Sequence, residues 1–159
     1  MEKRIDPTPS ATTEALAMVQ DFLQLGHCAL SYTSADGWPG ISRIALGRDG
    51  AGVPLTLVSS LAPHVAGLRA HPTCALMLGE PGPKGDPLTH PRVMLRANAE
   101  FASTDERAAL RGLWLATHPK AKLYVDFADF AFVRLRPLNG LLNAGFGKAF
   151  SLTAQDILA

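Results

Sequence analysis

Five side chains of anion-holding type fall into one suggestive arrangement. Arg43 lies in the middle of an alternating stretch, with Ile41, Arg43 and Ala45 on one face and Ser42, Ile44 and Leu46 on the other. Ser59 and Ser60 close a second apolar stretch, Val53, Leu55 and Leu57, just ahead of Pro63. Proline suits a first helical position, where its missing N–H is not needed, so His64 falls in the first turn of a short helix. Arg92 opens a later strand. A guanidinium, paired hydroxyls and the free N–H groups of a helix start together suit a phosphate. Two readings stand side by side. The residues converge on one groove, or each arginine reaches solvent or pairs with an acid.

Other chemistries find less support. The five histidines are scattered without metal-ligand spacing, and His71, His90 and His118 each precede a proline as turn punctuation. His27 and Cys28 are adjacent in a strand, so their side chains leave from opposite faces. No G-x-S-x-G elbow occurs, and the glycine- and proline-rich stretch EPGPKGDPLTHP, residues 80–91, lacks the Lys-Ser/Thr ending of a phosphate loop. Asp126 and Asp129 read as exposed or turn-capping carboxylates.

The elements that must position these residues can be read from spacing. The 159 residues suffice for one domain, 1–159, with a real core, after a loose arm over residues 1–11. Thr12 or Thr13 caps a helix that runs to Leu25 and buries Leu16, Val19, Phe22 and Leu23. His27 to Thr33 alternates as a strand, with a turn at 35–37 leading into the arginine-bearing strand. Arg48 to Gly52 makes the next turn. After the short helix, which buries Val65 and Leu68, Cys74 to Leu78 and Arg92 to Phe101 are strands. The run S-T-D-E at 103–106 is a capping box for a helix whose apolar face is Leu110, Leu113 and Trp114. Phe130 to Leu135 is a strand, residues 139–143 form one more, and residues 151–158 form a terminal helix. Many short strands with close turns favour a mainly β fold, a small antiparallel barrel with helices outside.

Net charge is +1, which gives no basic surplus for nucleic acid. MEKRIDPTPS has no apolar core of a signal peptide and no run is long enough to cross a bilayer, so a cytoplasmic protein without membrane partners is expected, its two cysteines buried thiols.

The order of strand, R-x-x-x-x-R, turn, strand ending in Ser-Ser, short helix, His-Pro and strand resembles the FMN-binding split-barrel proteins related to pyridoxamine 5′-phosphate oxidase. Three further segments, GDPLTHPRVMLRANAE, HPKAKLYVDFADFAFVRLRP and GFGKA, are similar to the branch that includes the haem-utilisation proteins of this fold. The resemblance implies a six-stranded antiparallel split barrel, a homodimer, and FMN in a groove at the dimer interface. It implies that Arg43, Ser59 and Ser60 grip the FMN phosphate and that Ile44 and Ala45 offer backbone groups to the flavin ring. His64 stands where many relatives carry lysine or arginine, and Arg92 matches a polar residue near the flavin. The implied function is an FMN-dependent oxidoreductase acting on a small-molecule substrate, with no catalytic residue identified and Tyr124 and Arg92 as candidate proton donors. Two alternatives stay open: a haem-binding, haem-utilisation protein on the same fold, and a non-enzymatic flavin-binding module. Residues 151–159 hold neither the tryptophan nor the arginine with which the oxidases hold substrate, and no histidine follows His118.

Overall fold

A computed structural model describes residues 8–159; the first part of the expected arm, residues 1–7, lies outside the described residues. The rest of that arm is not loose. Ser151 donates its backbone N–H to the carbonyl of Pro9 at 2.9 Å, and Ser10 bridges to Ser151. Helix α1, Thr13–Phe22, begins where the Thr12 hydroxyl accepts the N–H of Ala15, and it buries Val19 against the sheet together with Leu23 just beyond its end. Strand β1, His27–Thr33, turns at Ser34 into β2, Pro39–Ala45, with Ala29 opposite Arg43. The two-residue strand β3, Gly47–Arg48, leads through a tight turn to β4, Pro54–Ser59. Asp49 fixes that turn, its Oδ1 accepting the N–H groups of Ala51 and Val53 at 2.9 Å.

Helix α2, Pro63–Ala70, packs on β1 at a glycine. A Cβ at Gly67 would lie 2.6 Å from the carbonyl of Thr33, so only glycine permits this approach. Then follow β5, Thr73–Leu78, β6, Arg92–Phe101, helix α3, Arg107–Thr117, β7, Phe130–Gly145, β8, Lys148–Thr153, and helix α4, Ala154–Leu158. The single sheet runs β2-β1-β5-β6-β7-β4-β3, with β8 on the far half of β7. It curls until its ends approach, and the Thr56 hydroxyl of β4 donates to the Ala45 carbonyl of β2 across the seam at 2.7 Å. This is the split barrel with flanking helices.

The sheet has eight strands among the described residues, not six. The strands that the sequence does not predict are β3, which it takes as part of a turn, and β8, while β7 merges two strands that it does predict. β7 is one 16-residue strand where the sequence reads as two, because a bulge between the pairs Arg96–Asn139 and Ala97–Pro137 absorbs Leu138 without breaking it. The expected terminal helix over 151–158 is half strand, since Ser151 and Leu152 pair with Leu141 and Gly140 before Thr153 caps α4.

Two hydrophobic clusters result. Leu30, Ile44, Leu76, Leu95, Val133 and Leu142 fill the barrel, closed by α1 and α2. Leu55, Leu57, Leu110, Trp114, Val125 and Phe132 lie outside it, where α3 covers β4 and β7. Leu113 departs from expectation: it is 44% exposed and faces away from that cluster. No helix of the described residues is long and apolar enough to cross a membrane.

Candidate functional site

Strand alternation decides which groups can meet. On β1 and β2 the inward residues are Cys28, Leu30 and Ile44, all buried, so His27, Ala29, Ile41 and Arg43 face out. A groove of roughly 420 Å³ opens on this outer face between the end of α1 and strands β1, β2 and β5. Its walls are Phe22, Leu25, Cys28, Ala29 and Met77, and its polar groups are His27, Arg43 and Glu80. Glu80 Oε1 lies 3.5 Å from both His27 Nε2 and Arg43 Nη2. These contacts are long and solvent-exposed, and such pairs are worth little, so the Arg43 guanidinium and the His27 ring are both free to turn to another partner. Burial, with a smaller contribution from Cys74, pushes the Cys28 thiol up to about 12, which keeps it protonated and closes it to thiolate chemistry.

The expected phosphate cluster does not assemble within one chain. The Arg43 guanidinium turns to Glu80 rather than to the serine pair. The Ser59 hydroxyl donates to Asp129 Oδ2 at 2.7 Å and accepts the N–H of Leu61, while the Ser60 N–H donates to the Asp129 carbonyl. His64 is half-buried on the other face of the strand pair, its Nδ1 3.2 Å from the Ser42 hydroxyl and its ring edge-on to Tyr32. Burial pulls its pKa below the usual histidine value, so it is neutral at pH 7 and offers an anion no charge. Arg92 lies apart and donates to the carbonyls of Leu88 and His90, tying down the 80–91 loop.

Ile44 contributes neither side chain nor backbone to an open site. Its side chain is in the core. Because Leu46 N–H donates to the Gly26 carbonyl, the alternating ladder pairs the backbone of Ile44 with Cys28. The same alternation turns the N–H groups of Arg43 and Ala45 toward the seam, where β2 is an edge strand and the Ala45 carbonyl is taken by Thr56.

Two members of the groove, His27 and Glu80, were not singled out from sequence for binding. The signal for His27 was present: alternation opposite a core cysteine places it on the face of Arg43. Nothing local marks Glu80, which reaches the groove only because the β5 strand ends beside β1.

The outer face of the sheet next to the groove carries Ile41, 79% exposed, Met77, 51% exposed, Ser31 and Ala75, and none of the described elements covers it.

No family profile matches the chain. Among known proteins, the chain is 38% identical over 117 residues to the non-canonical heme oxygenase HOZ, chloroplastic, of Arabidopsis thaliana, a match over 72% of this chain and 35% of that protein. A heme binding protein from Mycobacterium smegmatis superposes with a TM-score of 0.79 at 27% identity, over 93% of this chain and 62% of that one. A protein of the pyridoxinephosphate oxidase family from Clostridium acetobutylicum, related to general stress protein 26, superposes with a TM-score of 0.70 at 15% identity over 92% and 99%. The chain thus spans about a third of the curated relative and under two thirds of the mycobacterial protein.

Proposed function

We propose, from the premise that this chain belongs to the split-barrel family of pyridoxamine 5′-phosphate oxidase and the haem-utilisation proteins, that it binds haem in the groove of β1, β2 and β5. The observation that carries this reading is the joint placement of His27 and Arg43 at the rim of an apolar groove. The donor set fits the ligand. Imidazole is a common iron ligand and guanidinium pairs with carboxylates, while Phe22, Leu25 and Met77 suit a flat apolar ring. A bound haem supplies a redox-active iron. In such a complex Arg43 would pair with a carboxylate of the ligand and His27 would offer its imidazole to the metal. Two relatives above 25% identity are by name a heme oxygenase and a heme binding protein, which supports the same ligand here.

A flavin reading keeps one observation in its favour, the open N–H groups of Arg43 and Ala45 along the β2 edge, which suit a polar ring. Against it, Ser59 is committed to a carboxylate and His64 is neutral, so FMN would lean on Arg43 alone for its phosphate.

The test is a pair of titrations, hemin followed by its Soret band and FMN by fluorescence quenching. Saturable hemin binding that His27→Ala shifts in spectrum and Arg43→Ala weakens about tenfold supports haem. Tight FMN binding with only unsaturable hemin uptake overturns it in favour of flavin.

The partner is proposed to be a second copy of the chain. The uncovered face of Ile41 and Met77 is apolar and continuous with the groove, as a self-complementary interface requires. Met77→Glu is expected to convert a dimer into a monomer by light scattering. The free thiols of Cys28 and Cys74 support a reducing, cytoplasmic setting.

A further inference from the structure

A second cavity, of roughly 520 Å³, lies on the other side of the barrel seam between α1, β3 and α3. It shares no lining residue with the haem groove. Arg48 lines it and is half-buried, yet none of the six ion pairs among the described residues includes it. Its Nη2 donates to the neutral Oε1 of Gln20 at 2.7 Å, and its Nε is buried with no partner. Its chain neighbour Asp49 is taken by Arg134. A guanidinium partly withdrawn from water without a counter-ion carries a desolvation cost, and here burial lowers its pKa.

The opposite wall is apolar. Leu23 and Leu46 belong to the buried core and reach the cavity from one side. Leu113 lines it from α3, which explains why a leucine at a core spacing of that helix is 44% exposed. Beneath, Trp114 and His118 stack at 4.0 Å and 7°, and Gly47 lets β3 lie against them, since a Cβ there would meet the indole at 2.9 Å. The cavity therefore has one unneutralised cation at an edge, the exposed Leu113 on one wall and the His118 ring, backed by Trp114, in its floor.

We infer that this cavity is a binding site for a monocarboxylate with an apolar body, its carboxylate on Arg48 and its body against Leu113 and Ala116. A carboxylate accepts charge-assisted N–H bonds from the guanidinium terminus and supplies the missing counter-ion, and an attached apolar body covers the exposed Leu113. The site is independent of the haem groove.

Calorimetric titration of the full chain with octanoate, octanol and inorganic phosphate tests it. Octanoate is expected to bind with 1:1 stoichiometry, and octanol and phosphate at least about tenfold more weakly, because each lacks one half of the recognition. Arg48→Gln and Leu113→Asp, at opposite walls, are each expected to weaken octanoate by about tenfold or more and leave hemin binding unchanged. Without ligand, Arg48→Met is expected to keep or raise the melting temperature, as removal of an unpaired buried charge does; a purely structural arginine would lower it. Octanol binding as well as octanoate, affinity unchanged in Arg48→Gln, or no octanoate heat at about 10 mM overturns the assignment.

Discussion

Two arginines on strands of one sheet meet carboxylates in opposite ways. At the corner where β7 crosses the β3–β4 turn, Arg134 is 11% exposed, and its Nε and Nη1 donate at 2.7 Å to Asp49 and Glu106. On β2, Arg43 is 77% exposed and meets Glu80 at 3.5 Å. The first pair is locked on every side. Burial alone would raise the Asp49 carboxyl, but hydrogen bonds from Arg134, Val53 and Ala51 together hold it below the usual carboxylate range. The second pair shares its carboxylate with His27 and is open to water. The corner is a structural staple that joins the β3–β4 turn, β7 and the capping-box turn before α3. The groove is a set of charges waiting for a partner.

The largest expected effect breaks the locked side. Arg134→Ala leaves Asp49 buried without its cation and is expected to lower the free energy of unfolding by about 3 kcal/mol, read from urea denaturation. A loss below about 1 kcal/mol would mean that the corner behaves like a surface pair. On the open side, Arg43→Ala is expected to change stability by less than about 0.5 kcal/mol while weakening hemin about tenfold. Stability and binding thus separate at Arg43 and do not at Arg134. Glu80→Gln removes the carboxylate that competes for Arg43 and His27, and hemin affinity is expected to rise about threefold with no change in unfolding.

The same contrast explains what could be read from the sequence. Elements with one buried face were legible, because burial imposes a period: β1 and β6 carry the expected bounds, and Val19, Val65, Leu110 and Trp114 are buried as their spacing requires. The capping box at Ser103 and Glu106 is present, written in local chemistry. β8 was not legible, since its pairing with β7 depends on a partner strand rather than on its own short, mixed sequence. For the candidate site, residue types were visible but orientation was not. Arg43, Ser59 and His64 are close in sequence order, yet alternation in β2 sends Ser42 toward His64 and Arg43 outward. Asp129 claimed the serine from 70 residues away, a contact no local pattern encodes.

The smallest expected effect concerns His64, whose ring a phosphate site would need charged. Its Nε2 is buried without a partner and its Nδ1 meets only the Ser42 hydroxyl, so burial favours the neutral ring and the folded pKa lies below the unfolded value of about 6.5. Below that value the unfolded chain takes up a proton that the folded chain resists, so the unfolded state gains and stability falls as the pH drops from about 6.5 toward the folded pKa. Above about 7 both states are neutral and the contribution is complete. His64→Gln keeps a group able to bond Ser42 but cannot titrate. The stability difference between wild type and His64→Gln is therefore expected to be flat at neutral pH and to shift against wild type as the pH falls below about 6.5, by urea unfolding at each pH, with the other four histidines cancelling in the comparison. A difference that moved in favour of wild type on acidification would mean a ring stabilised as imidazolium, and would return His64 to the anion-gripping role that its place at the start of α2 suggests.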